Sequence, residues 1–240
     1  MKIKYVYSPN FDEKNRLSKS IKFIIIHYTG MQSERESIIR LCDFKSKVSC
    51  HFLINEKGQI YRIVQENKIA WHAGKSCWKN YKNLNLISIG IELVNKGHEF
   101  GYTNFKNKQL TSLTMICKNL IKKYHIKRKN ILGHSDIAPL RKFDPGEKFP
   151  WKEFAKKKIG IWHNIKIDFL KKHRRSKVSL QSKVKFINNL KKIGYCINSK
   201  KKSDIVKTIK AFQRHYRKEL INGIIDKECT IIAQNIRKKN

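Results

Sequence analysis

Phe23 to Ile26 are four consecutive large apolar residues, and they end on His27. The surrounding run, Ile21 to Thr29, is short and β-branched, so it predicts a buried strand. His27 then falls at the C-terminal end of that strand, where open α/β sheets place their ligands. A core histidine hydrogen-bonded to backbone is the simpler reading of this residue taken alone. A second apolar run, Ile87 to Val94, alternates. Ile89, Ile91 and Leu93 face one way, Gly90 and Glu92 the other. A glutamate in so apolar a strand is expensive to bury as an anion. It predicts a cation, a metal or a raised pKa nearby, unless the strand lies at an edge with Glu92 in water.

The other elements follow from pattern. Ser33 and Glu36 form a capping box, and the spacing predicts a helix from about 33 to 45. Val48 to Ile54 and Gln59 to Gln65 flank the turn Asn55-Glu56-Lys57-Gly58 as a β-hairpin. Leu110, Leu113, Ile116, Cys117, Leu120, Ile121 and Tyr124 make an i, i+3, i+4 stripe, predicting a helix over about 106–125. Ile131 to Gly133 reads as a short strand. Residues 163–180 are rich in Lys and Arg and predict a basic linker or a solvated helix. Three helical patterns follow from 181 to 240. Gly194 stops the first, Asp204 caps the second and Asp226 the third. The expected architecture is α/β, a mixed central sheet flanked by helices over 1–162, then a small three-helix domain at 181–240.

Charge sets the surface. The 240 residues carry 54 Lys and Arg against 18 Asp and Glu, formally +36. Such a surface attracts polyanions, although a lysine-biased, solvated surface gives the same balance. No motif with base-stacking aromatics or a recognition helix is present, so no specific nucleic-acid binding is expected. Six scattered cysteines without a C-x-x-C indicate neither a zinc knuckle nor a disulfide framework, and most are expected as buried small hydrophobes. No apolar run approaches a membrane span, and Met1 is followed by no apolar signal region. The cytoplasm is therefore the expected compartment and the periplasm or envelope the alternative.

The stretch Gly133 to Gly146, GHSDIAPLRKFDPG, supplies the chemistry. His134 and Asp144 join His27 as N and O ligands suited to one Zn²⁺, with the fourth position open as in catalytic zinc sites. An Asp ligand leaves the site less positive than three histidines would. A carboxylate base then helps, and Glu92 is the candidate. Lys142 is placed to stabilise an oxyanion. Cys50 and His51 lie on opposite faces of a strand, the wrong geometry for a nucleophile and its base.

FIIIHYT, AWHAG, SIGIEL, GHSDIAPLRKFDPG and FPW, in that order, resemble the zinc-dependent N-acetylmuramoyl-L-alanine amidases of the amidase-2 type, of the AmiD and AmpD kind. The resemblance covers about residues 20 to 162. It implies the fold of peptidoglycan recognition proteins and phage T7 lysozyme. It places the zinc ligands on His27, His134 and Asp144, the catalytic glutamate on Glu92 and the catalytic lysine on Lys142. Tyr28, His51, Trp71, His72 and Ala73 are the expected substrate contacts, and peptidoglycan or a muropeptide the expected substrate of a monomer. The tail, with IGYCI, IKAFQRHYR and INGIIDKE, is similar to the peptidoglycan-binding type 1 domain. It is expected to aid binding to polymeric wall and to be dispensable for chemistry. A receptor on the same fold without turnover is the main rival, and a basic nucleic-acid-binding protein the lesser one.

Overall fold

The computed structural model describes residues 3–199 and 201–239. Its strands are β1 (Ile3–Tyr5), β2 (Phe11–Asp12), β3 (Phe23–Tyr28), β4 (Phe52–Ile54), β5 (Ile60–Arg62), β6 (Ile69–Ala70), β7 (Cys77–Trp78), β8 (Tyr81–Lys82), β9 (Ser88–Leu93) and β10 (Ile131–Gly133). Its helices are α1 (Glu34–Cys42), α2 (Asn107–Tyr124), α3 (His134–Ile137), α4 (Trp151–Lys156), α5 (Ile167–His173), α6 (Leu180–Ile193), α7 (Lys202–Tyr216) and α8 (Lys227–Lys238). Six strands form one sheet in the order β1-β5-β4-β9-β3-β10. Only the β4–β5 hairpin is antiparallel within it. The sheet is therefore mixed, as expected from a hairpin set among crossover-connected strands.

Alternation along β3 explains why the apolar run is continuous. Ile24 and Ile26 join Ile89, Ile91 and Leu93 in a core closed by Leu113, Ile116, Cys117 and Leu120 of α2. Phe23 and Ile25 face the other way. Their core contains Trp78 and Leu84, and also Phe186, Leu190, Ile193, Tyr195, Phe212 and Ile232 from the C-terminal helices. Each fully buried side chain of this size contributes on the order of 2 kcal/mol.

Ser33 caps α1 by accepting from the Glu36 N–H, and Asp226 caps α8 by accepting from the Cys229 N–H. Asp204 does not cap α7. The helix begins at Lys202, so Asp204 sits in its first turn. The basic segment 163–180 is helical over Ile167–His173 and buries Leu170 in the same core as the tail. Tail and sheet thus share one core across the expected boundaries.

The cysteines need a correction. Cys50, Cys117 and Cys229 are buried free thiols, but Cys77 of β7 is disulfide-bonded to Cys196, which follows α6. Lys79 N–H donates to Gly194 O beside it, and the Trp78 ring packs on Tyr195. The pair, 119 residues apart, comes together only when the tail docks on the β7–β8 hairpin. Closing so long a loop restricts the unfolded chain. Removing the bond by Cys196→Ser is expected to lower the unfolding free energy by about 2–5 kcal/mol in denaturant titration. No difference between oxidised and reduced protein would show that the link contributes nothing.

Candidate metal and hydrolase site

Three parallel neighbours deliver the site residues to one edge of the sheet. The register pairs His27 of β3 with Glu92 of β9, and Ile26 with Gly133 at the end of β10. His134 therefore begins one step beyond its strand, beside His27. The following loop turns back, and Ser135 N–H donates to Asp144 O at 2.8 Å. That return presses Pro145 against Gly133, where an added Cβ would lie 2.6 Å from Pro145 Cδ.

The donor atoms converge. His27 Nδ1 lies 3.0 Å from His134 Nδ1 and 2.9 Å from Asp144 Oδ2, and His134 Nδ1 lies 3.1 Å from the same Oδ2. All three residues are buried. The surrounding hydrogen bonds fix where the protons are. Ser88 Oγ–H donates to Leu84 O at 2.6 Å, so Ser88 Oγ accepts from His72 Nε2–H at 3.2 Å. His72 Nδ1 then accepts from His27 Nε2–H at 3.0 Å. His134 Nε2–H donates to Ala73 O at 3.2 Å. Burial above all, then His134, lowers the His27 pKa to about 4, so it carries a single ring proton. With the Nε2 atoms so engaged, both Nδ1 atoms are turned towards the same Asp144 carboxylate oxygen. Burial alone would raise the Asp144 carboxyl, but the His134 and His27 imidazoles hold it well below the usual carboxylate range.

Three potential ligand atoms within contact distance of one another can hold a cation. Donors about 2 Å from a common tetrahedral ion lie roughly 3.3 Å apart, close to the separations found. The two imidazoles and one carboxylate also match zinc in donor type, and each imidazole has the outer hydrogen bond that orients such ligands. His27, His134 and Asp144 thus form a cluster able to hold a metal ion.

Glu92 and Lys142 border this cluster in a cleft of about 450 Å³, which Tyr28, Trp71 and His72 also line. Glu92 Oε2 is shut from solvent and has no hydrogen-bond partner. Burial, then the Asp144 charge, raises the Glu92 pKa to about 8 against the opposing pull of Lys142. A larger, mainly apolar cavity of about 950 Å³ lies beyond Arg141, between the β7–β8 hairpin and the tail, and contains none of the donors.

Two expected substrate contacts do not reach the cleft. His51 is fully buried. Its Nδ1 accepts from Gly90 N–H at 3.0 Å and its ring packs edge-on to His72, so it lies beneath the site. The Ala73 side chain is in the tail-side core, and only its carbonyl serves the site, through His134 and Arg141. Trp71 is anchored by donating from Nε1 to Asp12, and Tyr28 shares a hydrogen bond with His98. Arg141 was not singled out in the sequence. Its guanidinium donates to Ala73 O and Lys75 O, fixing the loop after Trp71.

Gly90 shows how tightly this layer is packed. A Cβ there would collide with the His72 ring. Gly90→Ala is expected to displace His72, cost about 1–3 kcal/mol of stability and weaken zinc binding through the lost His27 support. Calorimetry and zinc titration give the check, and parent-like values in both would refute the packing account.

These features define a hydrolase site built around a cluster able to hold a metal ion. The chain belongs to the Amidase_2 family: residues 17–147 match the family described as N-acetylmuramoyl-L-alanine amidase, which is generally zinc-dependent. It is 35% identical over 237 residues to the N-acetylmuramoyl-L-alanine amidase AmiD of Escherichia coli (strain K12), covering 91% of this chain and 83% of that protein. The structure of AmiD from E. coli with the substrate anhydro-N-acetylmuramic acid-L-Ala-D-gamma-Glu-L-Lys superposes with a TM-score of 0.82 at 34% identity, covering 92% of this chain and 90% of the other. AmpDh3 from Pseudomonas aeruginosa, in complex with anhydromuramic pentapeptide, gives 0.82 at 29% identity and 96% coverage of both chains. No helix among the described residues is long and apolar enough to cross a membrane.

Proposed function

We propose that this chain hydrolyses the amide between the lactyl group of N-acetylmuramic acid, or its 1,6-anhydro form, and L-alanine. One Zn²⁺ per chain is held by His27, His134 and Asp144. The observation that carries this reading is the convergence of three potential ligand atoms beside the unpartnered Glu92 carboxylate oxygen. When bound, zinc supplies Lewis-acid polarisation of the scissile carbonyl and of the attacking water. Glu92 accepts the water proton and returns it to the leaving amine. Lys142 turns its ammonium towards the oxyanion that develops on the carbonyl. Tyr28, Trp71 and His72 contact the substrate along the cleft. All of these groups come from one chain, which supports a monomer as the active unit.

Mass spectrometry of products from anhydro-muropeptide and from intact wall, with and without added zinc, tests the reading. Release of a free L-alanine N-terminus only with zinc is expected. An inactive protein that still binds muropeptide would favour the receptor. The compartment can be tested in the same way. Disulfides persist in oxidising compartments, so Cys77–Cys196 supports the envelope over the cytoplasm. Recovery of the native protein in a cytoplasmic fraction with both thiols free would reverse that.

A further inference from the structure

Asp136 lies two residues beyond His134 and is 1% exposed. Its Oδ2 accepts from Gly133 N–H at 2.8 Å and from His215 Nδ1 at 2.7 Å, and its Oδ1 accepts from Tyr195 O–H at 2.7 Å. Gly133 is the last residue of β10 and His134 follows it directly. One buried carboxylate therefore joins the backbone that carries His134 to two side chains from the C-terminal helices. A buried carboxylate is costly unless it is hydrogen-bonded, and here the tail supplies two of its three donors. Neither donor is loosely held. The His215 ring stacks on Trp151 and on Tyr216, with centroids 4.0 Å from each. Tyr195 packs against Trp78, next to the disulfide.

The residue of α7 preceding His215 reaches the other end of the same loop. The Arg214 guanidinium lies 5.0 Å from the centre of the Phe143 ring and its Nε is 3.8 Å from Glu147 Oε2. Phe143 precedes Asp144. The tail thus touches the ligand loop on its His134 side and on its Asp144 side.

We propose that Asp136 is a positioning residue through which Tyr195 and His215 hold the loop bearing His134 and Asp144 in its ligating geometry, so that the C-terminal helices belong to the catalytic apparatus. The inference rests on the reading of His134 and Asp144 as metal ligands. It departs from the expectation that the tail is dispensable for chemistry.

Tyr195→Phe in the full chain is the test, because it keeps the ring and removes one donor. Losing an outer-shell partner of a metal site costs on the order of 10–100-fold in affinity or activity. We expect zinc to pass to a chromogenic chelator about tenfold faster, and kcat on a 1,6-anhydro-N-acetylmuramic acid peptide to fall about tenfold with KM within about twofold. Because Tyr195 acts through Asp136, adding Tyr195→Phe to Asp136→Asn is expected to change either readout by less than about twofold. Unchanged zinc release in Tyr195→Phe overturns the proposal, as does an effect that multiplies undiminished on Asp136→Asn. Where Asp136→Asn does not fold, the Tyr195→Phe zinc release decides alone. A parent protein inactive on the muropeptide refutes the amidase reading, yet the zinc-release comparison still decides this one.

Discussion

His134→Ala is expected to give a folded protein that no longer retains zinc and has lost nearly all turnover. The substitution removes one of three converging donors, leaving His27 Nδ1 and Asp144 Oδ2, 2.9 Å apart. It also removes the hydrogen bond to Ala73 O. The loss in metal affinity is expected to exceed the ~10–100-fold of an outer-shell change, because a donor itself has gone. Stability of the metal-free protein changes for a separate reason. Asp144 is buried and ionised, and His134 and His27 are what keep it so. With one imidazole gone, a buried carboxylate loses part of its compensation, a cost of roughly 1–3 kcal/mol. Elemental analysis after dialysis is the decisive measurement. Full zinc occupancy in His134→Ala would exclude these three residues as the site.

The strands β3, β4, β5, β9 and β10 and the long helix were legible because each has a one-sided or a fully buried pattern, whereas β1, β2, β6, β7 and β8, two or three residues each, carry no such pattern. The helix expected over about 106–125 from the Leu110–Tyr124 stripe is α2, Asn107–Tyr124. The alternation of Ile89, Ile91 and Leu93 against Gly90 and Glu92 is the alternation of core and cleft in β9. The convergence of His27, His134 and Asp144 was legible through their motifs, and the parallel register of β3, β9 and β10 explains it physically. What escaped is tertiary. The stripes on α6, α7 and α8 read alike whether they face one another or a sheet, so the docking of the tail left no local signal. The Cys77–Cys196 bond depends on that docking. So do two of the three partners of Asp136, a carboxylate visible in the motif whose only donor nearby in sequence is Gly133 N–H. His51 was misplaced for a similar reason. The expected strand is β4, but it begins at Phe52, so His51 precedes it, and a backbone N–H from β9 and the His72 ring cover its imidazole. Yet the unbroken Phe23–Ile26 run required cover on both faces of β3, and α2 covers only one. The need for a second layer was in the sequence, although not which segment would meet it.

Glu92→Gln is expected to bind zinc and muropeptide as the parent does and to turn over about 10²–10⁴-fold more slowly, the usual cost of losing a general base. Three observations make Glu92 the candidate. Register places it beside His27, it opens on the cleft that Asp144 and Lys142 also line, and its Oε2 has no protein partner. An unsatisfied buried carboxylate oxygen costs stability, so Gln, which is neutral and of similar shape, is expected to leave the fold intact or slightly more stable. The carboxylate thus has no structural task that the amide fails. Burial and the Asp144 charge hold its proton affinity above the ordinary range, which suits a group that takes a proton from water and then gives it up. Lys142→Ala makes the contrast. It leaves the base and the ligands in place and is expected to lower kcat on the order of 10²–10³-fold, the cost of one oxyanion donor, with less change in KM. The measurement is kcat of the zinc-loaded variants on a MurNAc-L-Ala substrate. A Glu92→Gln rate near that of the parent would remove Glu92 from the mechanism. A Lys142→Ala defect confined to KM would make the lysine a binding group instead.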